Sequence, residues 1–133
     1  MAIDSHIKNF IRVGRVSVVF PNEMAVKVVF EDKDDLVSDK LPVLVQGSSK
    51  NKHFWLPDVG EPVVCLMLPN GHNAGICLGS YYSNQNPPAV SNSELRRLDF
   101  GDGSYIEFNR GTGGLTIQCK GPVVINGSTV NIN

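Results

Sequence analysis

The chain has 133 residues, is 41% apolar, and sets 12 Lys and Arg against 13 Asp and Glu. Such a balance suits one ordinary domain, or a small domain with an appendage, and gives no general attraction to nucleic acid or to an anionic membrane. Its 13 glycines and 8 prolines imply many tight turns, and its three cysteines, Cys65, Cys77 and Cys119, lack C-x-x-C spacing and read as buried free thiols.

The first residues, Met-Ala-Ile-Asp-Ser-His, contain no basic segment followed by an apolar run. No apolar stretch approaches the roughly 20 residues of a membrane span. The expectation is a protein made and kept in the cytoplasm unless it leaves within a larger particle. Residues 1–11 place Ile3, Ile7, Phe10 and Ile11 at helical spacing with Asp4 or Ser5 as a cap, which predicts a short amphipathic helix that needs a surface to lie on.

From residue 12 the period changes to two. Val13, Val16 and Val18 stand among small or polar neighbours, Pro21-Asn22-Glu23 makes a turn, and Met24 to Phe30 returns as the second strand of a hairpin. A charged loop at 31–35 precedes a third strand over 41–47. A long connection from Ser48 to Pro62 holds the only tryptophan, in His53-Phe54-Trp55-Leu56-Pro57. Strands four and five, 62–68 and 74–81, are nearly unbroken in apolar character, as expected of strands covered on both faces or closed into a barrel. Five strands between residues 12 and 83 with that long connection match an OB-type barrel, with a small SH3-like barrel as the rival.

Residues 84–95 are polar and interrupted by Pro87-Pro88, a linker composition. Residues 96–133 differ. Leu98-Asp99-Phe100 and Tyr105-Ile106-Glu107-Phe108 flank Gly101-Asp102-Gly103, a hairpin signal, and short alternating strands follow at 115–119, 123–125 and 130–133. A tail of this size cannot bury enough apolar surface to offset the ordering of its backbone, and its short strands leave open edges. It therefore needs partners, and identical copies wrapped around a common axis would cover those edges; the alternative is a disordered tail.

No catalytic constellation is present. His6, His53 and His72 lie apart, and no G-x-S-x-G, H-E-x-x-H or phosphate-binding glycine loop occurs. The carboxylates at Glu31, Asp32, Asp34 and Asp35 lack EF-hand spacing and include Lys33, so they read as a solvated loop. The expectation is a protein that is not an enzyme, without cofactor or metal. Strand three offers no aromatic for stacking bases, which argues against nucleic acid. The runner-up is an OB-fold module that grips nucleic acid or glycan with the Trp55 loop.

The stretches Ile11-Arg12-Val13-Gly14-Arg15-Val16, Leu36 to Leu44, Phe54 to Val63, and Leu68-Pro69-Asn70-Gly71 leading to Ala74 through Tyr82 resemble, in order, the baseplate assembly protein V family, the central spike of contractile phage tails and related particles. Pro87-Pro88 and Phe100 to Phe108 look like the family as well. The resemblance implies an all-β protein with an N-terminal OB-fold collar over 12–83 and, over 96–133, a short intertwined trimeric β-helix or β-prism needle. It implies a homotrimer joined to baseplate hub and tail-tube proteins, assembled in the host bacterial cytoplasm, touching a membrane only at its tip during injection, with room for a separate tip protein. Leu115, Ile117, Val123, Ile125, Val130 and Ile132 are the candidates for the trimer core. Phe54, Trp55, Ile3 and Ile7 are the candidates for hub contact. Some relatives carry a tip metal on an H-x-H pair; here the alternation ends Asn131-Ile132-Asn133, and amides are poor transition-metal ligands. The linker is too short to hold a lysozyme-like domain.

Overall fold

The structure is a computed structural model that describes residues 10–69 and 73–133. It is all-β, with two antiparallel sheets and no α-helix among the described residues. The helix expected at the N-terminus lies, over residues 1–9, outside the described residues, as do Ile3 and Ile7; Phe10 is in a turn and Ile11 already opens a strand. By internal contacts the chain divides into two units, Met1–Pro87 and Pro88–Asn133.

In the first unit, β1 (Ile11–Phe20) and β2 (Ala25–Phe30) form the expected hairpin. Glu23 and Met24 donate back to the Phe20 and Pro21 carbonyls, and Met24 takes a positive φ of 52° to bring the chain into β2. The register slips between Val16 and Val18, leaving Ser17 as the extra residue of a bulge, its hydroxyl donating to the Lys27 carbonyl at 3.2 Å. That bulge inverts the inward phase. Val16 is buried, whereas Val13 and Val18 face out and Val19 turns in against the core.

A single 3₁₀ turn, Glu31–Lys33, replaces the expected charged loop, followed by Asp34 and Asp35 in left-handed backbone. The third strand is not one run over 41–47. It is two short pieces, β3 (Leu36–Val37) and β4 (Leu41–Pro42), both paired to β2. The buried Ser38 makes the break: its hydroxyl accepts the Val28 N–H at 2.9 Å and donates to the Asp39 carbonyl. A side chain thus replaces one rung of the ladder.

β5 (Pro62–Met67) pairs with β1, and β6 (Gly75–Ser80) pairs with β5, giving the order β3-β2-β1-β5-β6. The far end meets the near end. Val43 bridges Cys77 in parallel, and the Leu44 N–H donates to the Cys77 carbonyl at 2.9 Å. Enclosed by this path are Val16, Val26, Val28, Phe30, Leu41, Val63, Cys65, Met67 and Cys77, with Val19, Val43 and Leu56 packed against them. Among the described residues of the first unit, β5 and β6 are covered on one face only. Leu66, Ile76 and Leu78 face out, beside Ile11 and Val13 of β1.

The long connection is tied down at its end. Gly60 donates to the Val16 carbonyl and accepts from Arg15 Nη1, and the Glu61 carboxylate accepts from the Asp58 N–H and the Ser80 hydroxyl.

In the second unit, β7 (Leu95–Asp99), β8 (Tyr105–Asn109) and β9 (Leu115–Gln118) form one three-stranded meander. β7 starts at Leu95, inside the segment whose composition reads as linker. The strands expected at 123–125 and 130–133 are absent. A strand exists only where a neighbouring backbone completes its ladder, and the single chain supplies none beyond β9.

Candidate assembly surface

The second unit is built around its hairpin. Asp102 accepts the Ser104 N–H at 2.9 Å, closing the Gly101-Asp102-Gly103 turn with Gly103 at φ 94°. This contact, with the Ser104 hydroxyl second, holds the Asp102 carboxyl below its ordinary value. The turn sets Asp99 opposite Tyr105, and every other pairing follows. Across the next turn the Asn109 carboxamide accepts from Gly111 and Thr112, and Gly113 takes a φ of 78°.

That register sorts the side chains by face. One side carries the rows Arg97–Glu107–Thr116 and Asp99–Tyr105–Gln118. Arg97 reaches Glu107 at 2.8 Å and Asp99 at 2.9 Å, with its guanidinium 3.7 Å from the Tyr105 ring centroid. The other side carries Leu98–Ile106–Ile117 and Phe108–Leu115, with Arg96 at the end of the second row. The sheet has a polar face and an apolar face.

Nothing among the described residues of the second unit covers the apolar face. Leu98, Ile106, Phe108, Leu115 and Ile117 are all exposed, Leu115 at 65% and Ile117 at 57%. Across 88–133 the one buried residue is Ser104, so the unit encloses no apolar side chain of its own. Beyond β9 the exposed apolar side chains continue through Val123, Val124, Ile125, Val130 and Ile132, the last at 88%. A single sheet layer with a bare apolar face is not a stable solution in water; the face must be packed against another layer.

Of the six residues singled out for a trimer core, Leu115 and Ile117 lie together on this face, and Val123, Ile125, Val130 and Ile132 follow along the chain past β9. Sequence reasoning missed Leu98, Ile106 and Phe108. Their alternation was visible, but which side they share with Ile117 depends on the register at Asp99 and Tyr105.

In the first unit the aromatic loop divides its labour. Leu56 packs on the core and Pro57 is buried, while Phe54 is 67% and Trp55 47% exposed. Phe54 and His53 line a groove with Pro21, Met24, Val43 and Val45.

No protein-family profile matches the chain. It is similar to a phage spike protein. The spike protein of Escherichia phage P2 is 26% identical over 112 residues, which cover 84% of this chain and 52% of that protein. The chain therefore spans about half the length of the curated relative it matches.

Proposed function

We propose that this chain is the structural spike subunit of a contractile phage tail or related injection particle, a homotrimer whose three tails form a needle beneath the tail tube. The observation that carries the proposal is the bare apolar face of β7–β9 in a unit with no buried apolar residue. Three copies placing Leu98, Ile106, Phe108, Leu115 and Ile117 around one axis would supply the missing core. The neighbouring chains would also give the residues after Gln118 the ladder partners they lack, and so convert 119–133 into the intertwined β-helix or β-prism of the needle. The likeness to a phage spike protein supports the same reading.

The first unit is then an OB-fold collar. The order β3-β2-β1-β5-β6, closed by a parallel contact between the end of the third strand and β6, supports that assignment. Phe54 and Trp55 serve as the collar's contact with a baseplate hub protein, where exposed aromatics anchor partner surfaces. The function is mechanical, with no catalysis and no bound cofactor: the needle transmits the force of sheath contraction to the target envelope. Subunits assemble in the host bacterial cytoplasm and leave with the particle, and a separate tip protein caps the needle.

Light scattering on the full chain tests the reading. The expected mass is three times 14.5 kDa and persists on dilution. A monomer at every concentration overturns the spike assignment and returns the Trp55 loop to first place as a binding site for nucleic acid or glycan.

A further inference from the structure

Cys65 and Cys77 are direct partners in the β5–β6 ladder, and both are completely enclosed. The register slips just before them: Val64 pairs with Gly79 and Cys65 with Cys77, so Leu78 is the extra residue of a bulge that sets the two thiols opposite each other. Opposed residues in an antiparallel pair have Cα atoms about 4.5–5.5 Å apart, inside the roughly 4.4–6.8 Å that a disulfide requires. Two adjacent core positions filled by cysteine are equally well filled by valine or alanine, which offer no such chemistry.

A further feature lies in the same row. Arg12 is the ladder partner of Cys65 on its other side, so Arg12, Cys65 and Cys77 run side by side across β1, β5 and β6. The Arg12 guanidinium lies over Phe30 at 5.4 Å, and its Nε and Nη1 are buried without a hydrogen-bond partner. The neighbouring Cys77 and burial push the Cys65 thiol up, whereas the interaction with Cys65 pulls Cys77 down against the effect of its own burial.

We propose that Cys65 and Cys77 form a cross-strand dithiol that closes to a disulfide in an oxidising environment, latching β5 to β6 inside the core of the first unit. The oxidant is a low-molecular-weight disulfide. Cys77 is the attacking sulfur, because its position opposite Cys65 pulls its thiol down, outweighing the burial that pushes it up, and the Gly79 backbone helps. Its attack breaks the reagent's S–S bond, forms a mixed disulfide and releases one thiolate. The Cys65 thiolate then attacks the Cys77 sulfur and expels the second. Two protein thiols are oxidised to one disulfide, the reagent is reduced to two thiols, and the two protons leave with them. Both sulfurs are enclosed, so the rate follows opening of the β5–β6 pair. The inference does not depend on the spike reading; a monomer would carry the same latch.

The test is made on the full chain bearing Cys119→Ser, which removes the exposed third thiol. After incubation with oxidised glutathione under native conditions, the intact mass falls by roughly two hydrogens, and a linked peptide joining Cys65 to Cys77 appears and disappears with dithiothreitol. The thermal midpoint rises by about 5 °C or more in the oxidised form. Cys65→Ala in the same background stops at the glutathione adduct on Cys77. Should that variant fail to fold, the linked peptide is sought in the wild-type chain with Cys119 alkylated beforehand. Thiols that stay reduced until the protein unfolds, a stable glutathione adduct in place of the linked peptide, or a lower midpoint after oxidation each overturn the latch.

Discussion

Ile117→Ala probes the assembly surface most directly. Ile117 sits in a strand-to-strand row with Ile106 and Leu98 on the apolar face, and 57% of it is open in the single chain. Fully burying such a side chain contributes about 1.5–3 kcal/mol, so covering the open half contributes about 1–1.5 kcal/mol per chain and about 3–4 kcal/mol per trimer. The truncation therefore weakens the trimer association constant by a factor on the order of 10² to 10³. Because concentration enters as its square in a three-body equilibrium, the midpoint of dissociation on dilution moves up about 10- to 30-fold. Sedimentation or light scattering over a dilution series reads that midpoint. Val59→Ala, at a residue 62% exposed in a loop of the first unit, is the matched control and leaves it in place. An unchanged midpoint for Ile117→Ala, or an equal shift for the control, refutes the placement of this face at the subunit contact.

Ser38→Ala leaves the buried Val28 N–H without its acceptor and lowers the stability of the first unit by about 1–3 kcal/mol, read as an earlier denaturant midpoint at constant slope. Gly75→Ala puts a methyl group into the Leu66 carbonyl and Met67 Cα across the ladder, so the variant does not form the β5–β6 pair; native circular dichroism would contradict this. The lowered Asp102 pKa makes its contribution fully present above its ordinary value of 3.8 and lost as pH falls through the lowered one. Protection of the Ser104 amide therefore drops on acidification in the wild type and shows a flatter profile in Asp102→Asn, and identical profiles would remove the carboxylate from the turn.

The β1–β2 and β7–β8 hairpins were legible because turn residues and alternation agree there: Pro21-Asn22-Glu23 in one, Gly101-Asp102-Gly103 in the other. The third strand was placed too late. Its first half, Leu36–Val37, lies against a charged stretch and is cut off by Ser38, whose role as a substitute rung depends on a strand distant in sequence. The bulge at Ser17 hid the true inward set in β1, since a single inserted residue reverses every later side chain. The unbroken apolar character of β5 and β6 suggested cover on both faces or closure into a barrel; β6 does meet Val43 to close the path, while Leu66 and Ile76 face out and are exposed among the described residues. For the assembly surface, the exposed apolar character of Leu115 to Ile132 was readable, but Leu98, Ile106 and Phe108 needed the register. Strands at 123–125 and 130–133 were read from alternation, which reports what a segment can pair with and not whether its own chain provides the pair.

The contrast between the two units has a consequence for synthesis. The residues that enclose Phe30, Leu41 and Val63 complete a core within a single chain. The sheet after Pro88 encloses no apolar side chain, so in the proposed trimer its stability would scale with how many neighbours are within reach. The ribosome delivers the self-sufficient part first. On the trimer proposal each new chain would be a finished head trailing an unfinished tail, and the supply of other chains would set how long that tail stays open to proteases.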